Sequence, residues 1–524
     1  MLSESLSWKI LFPTALIGLG LLAPHAVAAP VPPTESATFS GDIGTGEKNG
    51  SGRVLGDSQG SFLVKFAGFA NGSTRSILRR AGARLAKEDI AGVRGPIFNG
   101  AAVDLNSKQL QRLRKSPLIR KVERNHTITA STPSATTATT ATPYWNLSRI
   151  NQRSLPLDGI FDPVGTGAGV HVYVVDSGVN VNLPEFAGRV GQGVYLPTVA
   201  NSAYDCQGHG THVAGTALST TYGVAKQAIV HSVRVLNCAG QGQSSGLLLA
   251  LNWIAENVER PAIINASFGG PTSDLMDAAI AETVSRGILT VAAAGNDTAN
   301  ACTQSPASEP AVITVGATDP RDRQAGFSNY GSCLDTWAPG VGISSVGLLG
   351  QENVLSGTSM AAPAVSGVAA VLWSLYPTAD AADITNLVAK SATTGTLSLS
   401  KPGSPNRLAY IERQVPVLPY QTPGKVRKLK SGKTTSNSAT ATWKVPKSDG
   451  GTKITKYQTR IKLGGKWQGW QAKKAKKLKS SKKNHYKWTW SKLKSGKKYP
   501  VEVRARNTFG YGPKVKLSLR TDKN

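Results

Sequence analysis

Long apolar runs are scarce in this chain of 524 residues. The one extended stretch, Ile10 to Ala23, is too short for a standard membrane span. It is followed by Ala26-Val27-Ala28, a small-x-small cleavage pattern, so residues 1–28 read as a secretory signal peptide. Cysteine is scarce too: Cys206, Cys238, Cys302 and Cys333, with no C-x-x-C spacing, which argues against these cysteines forming a zinc site. An exported chain favours bridges over thiols, and four cysteines permit three pairings. Acidic residues are few in the tail. Residues 416–524 hold 30 Lys+Arg against three acidic residues, a net +27 out of +29 for the whole chain. Residues 131–415 hold 13 basic and 19 acidic residues, a net −6.

The length exceeds one ordinary domain, and composition divides it. Residues 29–60, rich in Gly, Ser, Pro and Thr, read as a loose lead-in. Residues 61–130 read as a small α+β unit, with strands Ser61–Phe66, Ile97–Val103 and Ile119–Arg124 and helices Arg75–Ala86 and Ser107–Ser116. The Ser/Thr/Ala/Pro tract 131–142 cannot build a core. From 143 to 413, apolar strand runs alternate with helical patterns, which predicts an α/β domain with a doubly wound parallel sheet. A linker at 414–422 leads to a tail, 423–521, whose alternating segments and Asp449-Gly450-Gly451 turn point to a folded β domain. Tyr486, Trp488 and Trp490 alternate, as expected of one buried sheet face. The basic run Lys473–Lys483 falls in a loop or at a strand edge.

Three short segments carry chemistry. Val174-Val175-Asp176-Ser177-Gly178, Gly208-His209-Gly210-Thr211-His212 and Gly357-Thr358-Ser359-Met360-Ala361-Ala362-Pro363 stand in that order. A serine hydroxyl keeps its proton at neutral pH and needs a base within reach. His209 suits that role, and Asp176 would hold its tautomer. The apolar run ending in Asp176 reads as a buried strand, which places the aspartate at its carboxyl end. Ser359 precedes a buried-helix pattern, with Pro363 expected in its first turn. A zincin helix needs glutamate after its first histidine. Here that position is Gly210, so His212 is expected to be a packed or hydrogen-bonded residue.

At these residues the chain resembles the subtilisin-like serine endopeptidases, in particular the proteinase K and aqualysin branch. The resemblance implies Asp176, His209 and Ser359 as a triad, with Asn296 of Ala292-Ala293-Ala294-Gly295-Asn296 as an oxyanion donor. It implies substrate contacts at Ser267, Phe268 and Gly269 on one side and Gly240 and Gly242 on the other, with Gly295 near the first pocket. Small residues there suit a large apolar or aromatic side chain before the cut. The branch pairs neighbouring cysteines, which implies Cys206–Cys238 and Cys302–Cys333. Pro310, Val312 and Asp335 match structural calcium ligands, and no catalytic cofactor is expected. Residues 61–130 resemble the family's inhibitor-type propeptide, which assists folding and then blocks the cleft, with self-cleavage near Ala130. Residues 423–521 resemble a fibronectin type III sandwich with Trp443, Tyr457, Leu493 and Tyr499 in its core. The expectation is a secreted, monomeric endopeptidase acting on proteins and peptides. Its basic module would adhere to a polyanionic surface such as cell-wall polymer or polysaccharide.

Overall fold

The computed structural model describes residues 37–38, 60–68, 70–87, 89–130, 144–196, 202–413, 422–450, 452–474 and 485–523. The expected signal peptide, the tract 131–142, most of the lead-in and of the 414–422 linker, and the basic run past Lys474 lie outside these residues.

The largest sheet has ten strands. In spatial order they are Ala37–Thr38, Val194–Tyr195, Ile229–Arg234, His171–Asp176, Ala262–Ala266, Leu289–Ala293, Ile313–Thr318, Thr336–Pro339, Arg407–Leu408 and Thr393–Thr394. All neighbours pair in parallel except the last two strands. The central strands are buried on both faces, so they read as near-continuous apolar runs. One face packs helices His209–Leu218 and Thr358–Leu375 around a core including Val172, Val174, Ile263 and Val291. The other packs Ser244–Asn257 and Asp274–Ser285 around Tyr173, Val175 and Ile264. This is the doubly wound α/β layering expected. The two-residue edge strand Ala37–Thr38 was not expected of a loose lead-in.

The small N-terminal unit is a four-stranded antiparallel sheet ordered Ile90–Arg94, Asn99–Asp104, Ser61–Phe66, Ile119–Arg124, with helices Thr74–Arg80 and Ser107–Lys115. Three details differ from expectation. Ile90–Arg94 is an additional strand, hidden in sequence by Gly92 and a lack of alternation. The first helix ends at Arg80 rather than Ala86, because Gly82 turns left-handed at φ 97°. The next strand starts at Asn99 rather than Ile97. The Ile97 and Phe98 amides instead donate to Asn252 Oδ1, each at 2.9 Å.

The tail is a sandwich of two antiparallel sheets. Trp443, Tyr457, Leu493 and Tyr499 are buried in its core, and Trp488 and Trp490 join them. Tyr499 Oη accepts from the Lys494 amide at 2.7 Å and donates to its carbonyl at 3.2 Å, a tyrosine corner.

Candidate active site

Strand His171–Asp176 ends with a carboxylate that is fully buried. Asp176 Oδ1 accepts from the Ser177 amide at 2.7 Å and from His209 Nδ1 at 2.8 Å. A carboxylate only accepts, so Nδ1 carries the proton and Nε2 presents its lone pair. Two glycines make this approach possible. Gly208 starts the helix at φ 96°, and a Cβ on Gly210 would lie 2.1 Å from the Gly178 carbonyl. Asp205 fixes the same helix start: it accepts from the amides of Gln207, Gly208 and Thr211 and from the Ser177 hydroxyl. Burial disfavours a charged His209. The Asp176 carboxylate outweighs that, helped by Asp205, and moves the histidine pKa upward. His209 Nε2 is buried and has no hydrogen-bond partner among the described residues.

Ser359 is the second residue of helix Thr358–Leu375 and is buried. Its hydroxyl donates to the Ser267 carbonyl at 3.0 Å, not to His209. Pro363 lies in the second helical turn, not the first. There it withholds the amide that would otherwise bond the Ser359 carbonyl. Ser267 fills the gap by donating its own hydroxyl to that carbonyl at 3.0 Å. The Ser267 hydroxyl in turn accepts from Asn265 Nδ2 at 2.9 Å, and Asn265 Oδ1 accepts from Ser366 at 2.8 Å. The two serines therefore exchange reciprocal bonds within a buried polar chain.

Asn296 Oδ1 accepts from the Thr358 amide at 2.9 Å and hydroxyl at 2.8 Å. Holding the oxygen this way fixes the carboxamide, so its nitrogen lies on the opposite side, next to Gly357. Helix amides at the Ser359 end reinforce a preference for negative charge.

The cleft is occupied by the chain's own strand Thr127–Ala130. It pairs antiparallel with Gln241–Gln243 on one side and Phe268–Pro271 on the other. Gly242 pairs with Ile128, Gly269 with Thr129 and Phe268 with Ala130, and the Gly240 carbonyl accepts from the Ala130 amide at 2.9 Å. The Phe268 side chain is turned into the core, leaving its backbone to the cleft. Beside Ala130 lies a cavity of about 470 Å³, bounded by Gly269, Gly270, Gly295, Asn296 and Gln304 among others.

His212 is fully buried. Its Nε2 faces the carbonyls of Ile343 and Asn353 at 3.1 and 3.2 Å, and burial together with His209 lowers its pKa to about 3. It is a packed helix residue, as expected. Bridges join Cys206 to Cys238 and Cys302 to Cys333, with Cα separations of 5.2 and 5.4 Å. Asp335 Oδ2 accepts from the Thr314 amide at 2.9 Å, and Val312 lies just before the strand paired to Asp335's neighbour Thr336. Pro310 is exposed beside it. Sequence reasoning missed Asp205, Ser177 and Thr358. Of these, Asp205 had a sequence signal: a carboxylate four residues before a helix-starting histidine.

The subtilase family (Peptidase S8) matches residues 167–410, and the fibronectin type III domain matches 424–519. An extracellular serine proteinase of Thermus sp. strain Rt41A is 44% identical over 63% of this chain and 78% of that protein. Alkaline serine exoprotease A of Vibrio alginolyticus is 39% identical over 60% of this chain and 58% of that protein. The crystal structure of a cold-adapted subtilisin-like serine proteinase superposes with a TM-score of 0.50 at 41% identity, covering 52% of this chain and 99% of that one. The chain belongs to the subtilase family. It is a subtilisin-like serine proteinase carrying a C-terminal fibronectin type III domain.

Proposed function

We propose that this chain is a secreted serine endopeptidase, made as a precursor that blocks and then cuts itself. The observation that carries the reading is the extended strand Thr127–Ala130, held as a third strand in the cleft next to the Ser359–Ser267 pair. A peptide bound this way gains main-chain hydrogen bonds that tolerate many sequences. In the reaction, the Ser359 hydroxyl turns from the Ser267 carbonyl to His209 Nε2, and its proton passes there as the oxygen attacks the peptide carbonyl. Asp176 stabilises the resulting imidazolium, and Asn296 Nδ2 with the Ser359 amide receives the oxyanion. His209 then returns the proton to the leaving amine, and water repeats the sequence on the acyl-enzyme.

Register supports a cut near Ala130. Phe268 pairs with Ala130, the last residue of the strand, and Ser267 directly precedes Phe268. Ser359 bonds the Ser267 carbonyl, which favours cleavage close after Ala130. The 61–130 unit serves as inhibitor. It docks Asn125 and His126 on Ser244, at the start of one helix, and Ile97 and Phe98 on Asn252 of the same helix. The glycines Gly269, Gly270 and Gly295 leave the cavity roomy enough for a large side chain before the cut, and an apolar or aromatic one is the proposed preference.

Calcium fits Pro310, Val312 and Asp335 by donor chemistry, two backbone oxygens and a carboxylate. Burial raises the Asp335 pKa, a cost that an adjacent cation would offset. Bound there, calcium would tie the 310–312 loop to the strand after Asp335. The sandwich serves as an adhesion module for polyanionic surface polymer. Its charge has a rigid backing in which Arg460 stacks on Trp467 and Trp470, and Arg504 stacks on Trp470 and Tyr511.

The test is expression of the full chain beside its Ser359→Ala variant. Casein hydrolysis and a mature chain beginning close after Ala130 are expected only from the former. Retained hydrolysis in the variant refutes the reading, and best cleavage after Lys or Asp refutes the pocket assignment. Binding to acidic polysaccharide resin should fall steeply between 50 and 200 mM salt, as phosphate-type contacts do.

A further inference from the structure

A second cluster of chemically active side chains lies at the opposite end of the sheet from Ser359. His171 opens the strand that ends in Asp176, His231 sits on the neighbouring strand, and Glu259 precedes the next strand, Ala262–Ala266. One ligand atom from each lies within 4.8 Å of the other two. His171 Nδ1 is 2.9 Å from His231 Nε2 and 4.0 Å from Glu259 Oε1.

Their orientation is set by the fold. His231 Nδ1 faces the Gln192 carbonyl at 3.0 Å. A carbonyl only accepts, so Nδ1 carries the proton and the Nε2 lone pair is turned toward His171. The His231 ring is clamped: Tyr173 stacks on it at 4.1 Å, and Gly191 packs so closely that a Cβ there would lie 2.1 Å from the ring. Tyr173 Oη also accepts from the Glu259 amide at 2.9 Å, which ties the third residue to the same frame. The His231 side is buried. The Glu259 side is open, with its side chain 58% exposed, so an ion has a path in and the carboxylate can swing inward.

We propose that His171 Nδ1, His231 Nε2 and the Glu259 carboxylate form a binding site for one zinc-class divalent ion. Two imidazoles and a carboxylate suit zinc, with water completing a tetrahedron. The carbonyl behind His231 is the outer partner that metal-bound histidines usually have. Burial, the largest influence on both rings, lowers the pKa of His231 to about 4 and also lowers that of His171, which supports the neutral ligand form. On binding, the His171–His231 hydrogen bond gives way. His171 adopts the tautomer with its proton on Nε2, and its Nδ1 lone pair goes to the metal, so no net proton is released. The two nitrogens separate from 2.9 Å to roughly 3.3 Å, as two bonds near 2.05 Å at a tetrahedral angle require. The ion would pin three neighbouring central strands at the end of the sheet away from Ser359, so its effect is on stability rather than on turnover.

The test uses the full chain in a Ser359→Ala background to prevent self-digestion, with calcium held constant and saturating. Zinc is the probe, followed by equilibrium dialysis and thermal unfolding. One zinc per chain is expected at this site, with a Tm rise of about 5 °C at one hundred times its dissociation constant. His171→Gln should abolish both effects. Glu259→Gln, at an exposed position that does not threaten folding, should weaken binding at least tenfold. Absence of stoichiometric zinc, or unchanged binding in Glu259→Gln, overturns the proposal; the second result would mean that the zinc sits elsewhere.

Discussion

Removing the Ser267 hydroxyl should loosen the nucleophile by a route that Pro363 creates. In Ser267→Ala the Ser359 carbonyl loses its donor, and Pro363 has no amide to replace it. Asn265 Nδ2 loses its acceptor in the same step. Each buried group left unpaired costs about 1–3 kcal/mol, so the combined loss is about 2–6 kcal/mol. For a domain of this size that is a Tm drop of roughly 5–20 °C. Calorimetry in a Ser359→Ala background measures it cleanly, because the carbonyl concerned is backbone and survives the change. The reasoning also predicts a rescue. Pro363→Ala supplies an amide that can bond the carbonyl of residue 359. The double variant should therefore recover at least about 1 kcal/mol relative to Ser267→Ala, a positive coupling in a double-mutant cycle. In the active chain, Ser267→Ala should lower kcat more than it raises KM. A Tm within 1 °C of the parent, or additive effects in the cycle, would refute the account of how the helix tolerates its proline.

Asn296→Ala should lower kcat by roughly 10²–10³ with little change in KM, the size of effect known for this donor in subtilisin itself; a loss under fivefold would remove Asn296 from the oxyanion site. Acid should destabilise the fold earlier than carboxylates alone would: His212 and His231, held to about 3 and 4 by burial, stay neutral when folded but protonate near 6.5 when unfolded. Stability is then complete above about pH 6.5 and declines as pH falls, with about two protons taken up on unfolding near pH 5, read from the pH slope of denaturant unfolding; a flat profile from pH 6.5 to 5 would contradict it. Activity should fall with acid from a pKa above 6.5, because Asp176 raises that of His209 and only the neutral ring accepts the Ser359 proton. Replacing Cys302 and Cys333 by serine opens a loop of 31 residues and should cost about 3–4 kcal/mol, measured as a lowered Tm; an unchanged Tm would show that the bridge does not constrain the unfolded chain.

The site was legible in sequence because its glycines are obligatory. Gly208 and Gly210 flank His209 for a left-handed turn and a close approach, and such constraints leave a local signature. The parallel sheet was legible for a similar reason, since strands buried on both faces become apolar runs. Contacts between distant segments left no such trace. Nothing local marks Thr358 as the clamp on Asn296, or Asn252 as the residue that captures the Ile97 and Phe98 amides. Pro363 was placed one turn too early because helix starts are set by capping geometry, and Gly357 caps this helix without a side-chain bond. The strand Ile90–Arg94 was missed because its partner Asn99–Asp104, not its own composition, holds it. The His171–His231–Glu259 cluster joins two neighbouring strands and the connection into a third, and each residue alone is unremarkable in sequence.

The most direct measurement is labelling of the mature chain with a fluorophosphonate probe, followed by peptide mapping. The account predicts a single adduct on Ser359, formed at least 10³ times more slowly in His209→Ala, where no base remains to take the proton. An adduct on another serine, or a Ser359 adduct whose rate ignores the loss of His209, would contradict it.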